Sequence, residues 1–253
     1  MSLAVERALI LLRYIVDHPD GLSIREVSRE FGYSPATVQK LINALKQQGY
    51  VVQDRLNERY HLGPEAVQLG LTALSRLEVR RIARPHLETL SEVTGETVFL
   101  AIARDEHAIY VDKVVSSQLI RMDAPLGVNR PYNCTSVGKV LLAAMPDDKI
   151  EQLAASGAFE RRTEHSIIEL DALRAELERI RQQGWAQDCE EYAYGSACVA
   201  APVLDHEGNV TAALTVSGPI ERIKQDFDLM VKRVKASAEA VSRGMGYRPP
   251  AGD

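Results

Sequence analysis

Residues 34–48, Ser-Pro-Ala-Thr-Val-Gln-Lys-Leu-Ile-Asn-Ala-Leu-Lys-Gln-Gln, predict one helix with both ends marked. Ser34 is suited to cap the first turn, and Pro35 follows where a missing N–H costs nothing. Gly49 comes after the last turn, where a left-handed residue stops a helix. Val38, Leu41, Ile42 and Leu45 recur at helical steps and share one apolar face. Ala36, Gln39, Lys40, Asn43 and Gln47 fall together on the opposite face. That face is small, amide-bearing and cationic, and it has no carboxylate. Amides pair with adenine edges, and lysine pairs with guanine or phosphate. The same residue types also make an ordinary solvated face on an amphipathic helix.

The flanks favour DNA. Ser23-Ile24-Arg25-Glu26 is a capping-box pattern that opens a short helix ending near Phe31-Gly32. A short turn leads to Ser34, giving a helix-turn-helix arrangement. Residues 50–53 read as a strand, 54–58 as a polar tip and 59–62 as the return strand. A hairpin directly after a recognition helix is a wing. The residues expected to contact DNA are Ser34, Ala36, Thr37, Gln39, Lys40 and Asn43 on the helix, with Arg55 and Arg59 on the wing within reach of phosphates.

A chain of 253 residues exceeds the usual single-domain size, which predicts two domains. The net charge of −5 is unevenly spread: residues 1–84 carry 12 Lys+Arg against 9 Asp+Glu, and residues 85–253 carry 18 against 26. A mildly basic module on an acidic body fits a DNA-reading head joined to something else. Cys134, Cys189 and Cys198 form no CxxC pair, and this sparse odd count fits a reducing cytoplasm. There is no signal-peptide pattern, and no apolar run approaches the ~20 residues of a membrane helix. The six histidines have no metal-ligand spacing, so neither a metal nor another cofactor is expected.

In chain order, residues 2–17 form a broadly apolar helix with Ser2 as its cap. Gly63-Pro64 closes the wing. Residues 65–84 form a separate helix whose Ala66, Leu69, Gly70, Ala73, Leu74 and Leu77 suit close helix pairing, so it reads as a linker helix meeting its twin. Pro85 begins a second amphipathic helix ending at Gly95. Strands are expected at 96–103, 108–115 and 119–122, followed by a loop through Pro125, Gly127 and Pro131. Helices are expected at 135–144, 147–155 and 170–183, strands at 185–188, 197–204 and 210–217, and a last helix at 226–245. This order makes an α+β domain with helices flanking an antiparallel sheet.

An ordered set of motifs now carries a resemblance over nearly the whole chain. It comprises Arg7-Ala8-Leu9-Ile10-Leu11-Leu12, residues 34–45 with Gly49-Tyr50-Val51, Tyr60-His61-Leu62-Gly63, Thr94-Gly95-Glu96-Thr97-Val98 and Tyr110-Val111-Asp112-Lys113. Ser136-Val137-Gly138-Lys139, Gly184-Trp185-Ala186-Gln187-Asp188, Glu191, Gly195, Ala200-Ala201-Pro202 and Val216-Ser217-Gly218-Pro219 complete it. The chain resembles IclR-type transcriptional regulators. The resemblance implies an N-terminal winged helix-turn-helix over 1–63, a linker helix over 64–80 and a GAF-like α/β effector domain with an antiparallel sheet over 81–253. It further implies a palindromic double-stranded DNA operator, a small-molecule effector, a homodimer or dimer of dimers, and a non-enzymatic role in the cytoplasm away from membranes.

The family's effector site falls here on Ser136, Val137, Asp188, Cys198, Thr215 and Ser217. The residues agree with that chemistry. Amides at the start of the helix near Thr135 can receive a carboxylate, and Thr215 and Ser217 lie two apart on one strand and face one side. Asp188 would repel an anion unless it accepts a hydroxyl or is protonated. The expected effector is therefore a small carboxylate with a hydroxyl or keto oxygen, or an aromatic catabolite. Ser136 and Val137 stand where the family often has Gly or Ala, Asn133 where His is common, and Cys189 where an acid is common. Two rival readings use the cysteines: a redox switch of Cys189 with Cys198, nine residues apart, and an enzyme with Cys198 or Cys134 as nucleophile, which would need a nearby base.

Overall fold

The structure is a computed structural model that describes residues 3–75 and 78–248. The chain divides into two compact units, Met1–Arg76 and Leu77–Asp253. Among the described residues no helix is long and apolar enough to cross a membrane.

The first unit contains α1 (Leu3–Val16), α2 (Ile24–Phe31), α3 (Pro35–Gln47), β1 (Val51–Gln53), β2 (Tyr60–Leu62) and α4 (Pro64–Ser75). Both caps form as the sequence requires. Ser23 accepts from the amide of Glu26 at 3.3 Å, while the Glu26 carboxylate accepts from the amide of Ser23 at 2.7 Å. Ser34 accepts from the amide of Thr37 at 3.2 Å. Gly49 has φ +75° and turns the chain out of α3 into β1, a conformation that favours glycine. Leu11, Ile15, Val27, Val38, Ile42, Leu45, Val51 and Tyr60 share one core. The hairpin pairs Val51 with Leu62, Val52 with His61 and Gln53 with Tyr60. Ser2, expected to cap α1, lies outside the described residues.

The second unit is built on a six-stranded antiparallel sheet in the order β5-β4-β3-β8-β7-β6. Its strands are β3 (Thr97–Arg104), β4 (His107–Val114), β5 (Asn129–Pro131), β6 (Ala186–Cys189), β7 (Ser196–Leu204) and β8 (Val210–Pro219). Its helices are α5 (Glu78–Thr94), α6 (Ser136–Ala143), α7 (Asp147–Ala155), α8 (Leu170–Gln183), α9 (Ile220–Gln225) and α10 (Phe227–Gly244). α5 and α10 pack together and against the central strands. α6 and α8 pack on the face that presents Phe99, Ala101, Ala200 and Ala213. Every residue of α6 is buried. A Cβ on Gly138 would sit 2.4 Å from the Pro131 carbonyl, so only glycine lets α6 approach that backbone.

Four expectations are corrected. Pro85 lies inside α5 instead of starting it. The lost backbone bond is offset because Val79, Ala83, Leu87 and Leu90 form one buried face running through the proline. The single helix expected over 65–84 is instead α4 to Ser75 and α5 from Glu78, and the junction at 76–77 lies outside the described residues. Residues 119–122 are not a strand: Leu119 and Ile120 are 97% and 74% exposed. The outer edge of β4 is paired instead by β5, with Ala108 opposite Arg130. Thus a segment read as loop holds a strand, with Pro131 at the sheet edge where a missing donor is tolerated. α9 was also not foreseen.

Candidate functional site

Each unit carries one candidate surface. On α3, Ala36, Lys40, Asn43 and Gln47 are exposed and Gln39 is half-buried. Gln39 Nε2 donates to Asn43 Oδ1 at 3.0 Å, so the two amides form one unit across a helical turn. The amides retain a free acceptor on Gln39 and a free donor on Asn43, the pattern that complements an adenine edge. Ser34 and Thr37 are engaged in the cap, with their hydroxyls 2.8 Å apart. At the wing tip Asp54 accepts from the amide of Leu56 at 2.7 Å and shapes the turn. Arg55 is exposed there.

Arg59 differs from expectation. Its Nε donates to the carbonyls of Asp20 and Gly21, at 3.0 and 3.1 Å, and its Nη2 donates to Gly21 and to Glu26. This guanidinium fastens the hairpin to the start of α2 through Nε and Nη2. Lys46 donates to Gln53 Oε1 at 3.3 Å and links the end of α3 to β1.

In the second unit a cavity of about 100 Å³ opens at the start of α6. Its floor comes from register. Asp188 lies opposite Cys198, and Cys198 opposite Ser217, so three neighbouring strands present these side chains in one row. Cys198 Sγ and Ser217 Oγ are 3.1 Å apart. Ser136, Asp188, Cys198 and Ser217 all line the cavity. Val137 and Thr215 do not. Val137 points into the hydrophobic core. Thr215 stands behind the wall, donating to the Val199 carbonyl at 2.9 Å and lying 3.1 Å from the Ser136 hydroxyl. It positions Ser136.

The remaining walls were missed. Phe99 and Tyr110 stack with ring centroids 4.2 Å apart, and both line the cavity with Arg130 and Tyr192. Alternation on β4 could have placed Tyr110 on this face. Arg130 gave no sequence signal, because β5 exists only through its pairing with β4. Over the opening, Lys113 ties Asp123 at 2.5 Å and the Ala124 carbonyl at 2.8 Å.

Burial dominates the electrostatics. Asp188 is pushed up to about 7, first by burial and then by the neighbouring Glu191. Its Oδ1 accepts from the amides of Glu191 and Tyr192, at 2.8 and 3.3 Å. Glu191 is raised by burial and joins Lys139 of α6 at 2.5 Å. That lysine is 1% exposed and also meets Glu176 at 3.3 Å. Asn133 bridges the 160s segment, donating to the carbonyls of Glu160 and Ile167 at 2.9 and 2.8 Å.

The cysteine readings lose their geometry. Cys189 pairs with Ala197 while Cys198 pairs with Asp188, so the two thiols leave opposite faces of the sheet. Burial pushes the Cys134 thiol up to about 12 and raises Cys198 as well, which keeps both protonated.

Comparison with known proteins agrees with both units. Residues 4–55 match the IclR helix-turn-helix domain, and residues 71–243 match the family described as bacterial transcriptional regulator IclR C-terminal. The chain is 32% identical over 250 residues to the DNA-binding transcriptional repressor YiaJ of Escherichia coli (strain K12), covering 97% of this chain and 89% of YiaJ. It is 33% identical over 227 residues to the HTH-type transcriptional regulator KdgR of the same organism, covering 89% and 86%. The crystal structure of the Thermotoga maritima IclR superposes with a TM-score of 0.67 at 31% identity, covering 96% of this chain and 98% of that one. These relatives are regulators, and none is an enzyme.

Proposed function

Because this chain belongs to the IclR family of bacterial transcriptional regulators, we propose that it binds a palindromic operator through α3 and the wing and that a small metabolite in the α6 cavity sets its operator affinity. The observation that carries this reading is the carboxylate-free outward face of a capped α3 in one unit, together with a walled polar cavity in the other. Lys40, Gln39 and Asn43 read bases or nearby phosphates, and Arg55 neutralises a phosphate. The effector is a small carboxylate bearing a second oxygen, held among Ser136, Asp188, Cys198 and Ser217. Aromatic catabolites are the alternative class, favoured by the Phe99–Tyr110 stack. No cofactor takes part.

The working unit is a homodimer or a dimer of dimers in the cytoplasm. One winged helix buries too little surface for tight specific binding. Val67 and Leu71 of α4, one turn apart and 58% and 62% exposed, supply an apolar face suited to a second copy. α4 thereby serves as the linker that follows the DNA-reading residues 1–63, and the effector domain takes up the chain from α5.

Selection of bound fragments from a random duplex library tests the reading. The enriched sequences should be inverted repeats, and the effector should change their affinity by roughly 5–150-fold. Failure to enrich any sequence, or full operator affinity from a monomer in light scattering, overturns it.

A further inference from the structure

Arg130 is 8% exposed and lines the α6 cavity. Among the described residues its one hydrogen bond runs from Nη1 to the Tyr192 hydroxyl at 2.7 Å, and its Nε has no partner. The guanidinium carbon lies 5.0 Å from the ring centroids of both Tyr110 and Tyr192, so two aromatic faces hold it in place. No carboxylate of the described residues forms an ion pair with it. Two acids share the cavity: Asp123 is paired with Lys113 at 2.5 Å, and Asp188 already gives Oδ1 to two backbone amides. A buried cation without a counter-ion is costly, and a rigidly seated guanidinium is the side chain best shaped to take a carboxylate through two parallel bonds.

Resting on the reading of this cavity as the effector site, we propose that Arg130 is its anion receptor: the effector's carboxylate pairs with the Arg130 guanidinium, and the amides at the start of α6 take its second oxygen. This reverses the assignment expected from the helix terminus alone. The apolar chain of the acid lies against Phe99 and Tyr110, and its hydroxyl or keto group meets Ser136 and Ser217. At about 100 Å³ the cavity suits a short-chain acid. The Tyr192 hydroxyl accepts from Arg162 Nη2 at 2.9 Å as well as from Arg130. A carboxylate arriving at Arg130 therefore competes for a donor that steadies the segment between β6 and β7.

Thermal shift and calorimetry on the full chain test this with glycolate, lactate, glycerate and 2-oxobutyrate, each beside its neutral amide. At least one acid should raise the melting temperature by several degrees while its amide does not. Arg130→Gln should weaken that acid at least about tenfold, and Arg130→Lys should weaken it less. An acid that binds Arg130→Gln as tightly as wild type overturns the proposal, as do equal shifts from acid and amide or no shift from any acid. Should Arg130→Gln fail to melt cooperatively, the acid-to-amide comparison on the wild-type chain decides. A neutral compound whose binding is lost in Ser217→Ala would overturn the role of Arg130 yet leave the cavity as the effector site. Absence of sequence-selective DNA binding would instead overturn the regulator reading.

Discussion

Arg59, the residue before β2, donates through Nη2 to both carboxylate oxygens of Glu26, at 3.0 and 2.9 Å. Glu26 also closes the capping box with Ser23. One carboxylate thus joins the wing to the start of α2. These bonds hold Glu26 down to about 2, with the Ser23 amide the largest cause and Arg59 next. A carboxylate depressed in the folded state stabilises above its unfolded value and loses that contribution as pH falls through the folded one. The N-terminal unit should therefore weaken progressively from about pH 4.5 towards 2. Circular-dichroism melts should show Glu26→Gln less stable at neutral pH and flatter across this range. An unchanged acid profile in the variant would count against the link.

The two wing arginines should separate in salt titrations. Arg55 is free at the tip, so Arg55→Ala should reduce the slope of log affinity against log salt by about 0.9 and weaken all sequences alike. Arg59→Ala should leave the slope close to wild type and lower the stability of the unit instead. Equal slope losses would mean that Arg59 leaves Glu26 on the operator.

Gln39 and Asn43 should behave as one reader. Each alanine substitution should cost about 1–3 kcal/mol of operator affinity and relax specificity at one position. Because Gln39 donates to Asn43, the double variant should lose less than the sum of the singles. Lys40→Ala should weaken binding as well. Gel-shift titration of all four proteins provides the test, and strict additivity would dissolve the pair.

Asp188 predicts the opposite pH trend in the second unit. Its ordinary value is 3.8, and burial moves it to about 7 in the folded chain. Between those values the folded state holds a proton that the unfolded state has released, so stability falls as pH rises through this window and levels off above it. Glu191, also raised, adds to the same trend. Melting temperatures of Asp188→Asn between pH 4.5 and 8 should show a clearly shallower decline than wild type. A parallel decline would place the proton elsewhere.

Thr215 and Ser217 should part company. Ser217 faces the cavity, so Ser217→Ala should reduce the effector response with little loss of stability. Thr215→Val removes the hydroxyl that donates to the Val199 carbonyl and lies against the buried Ser136 hydroxyl, and should cost about 1–3 kcal/mol of stability. Denaturant unfolding measures this. A Thr215 variant of wild-type stability that abolished the response would return the residue to the cavity wall.

Much of the first unit is legible in the chain because its signals are local. The Ser23–Glu26 box and the Ser34 cap each span three residues, and the spacing of Val38, Ile42 and Leu45 selects the buried face of α3. The same locality misleads at Arg59, whose sequence position says phosphate. Its partner Glu26 is 33 residues away. Pro85 misleads for a related reason: the local penalty is real, but a buried face supplied by the rest of the unit outweighs it.

The chain by itself determined the capped helices, the wing, most strands and, through its motifs, the strand residues Asp188, Cys198 and Ser217. The helices, wing and strands follow from hydrogen bonds three or four residues long and from alternation along a strand; the three cavity residues came from the family resemblance alone. Only the tertiary structure decided how the cavity is charged. Arg130 meets Tyr192 across 62 residues, and it does so because β5 docks on β4 with Arg130 opposite Ala108. A shift of one residue in that pairing would turn the guanidinium to the other face of the sheet. Register of this kind is set by the packing of the whole domain, and no short stretch of sequence contains it.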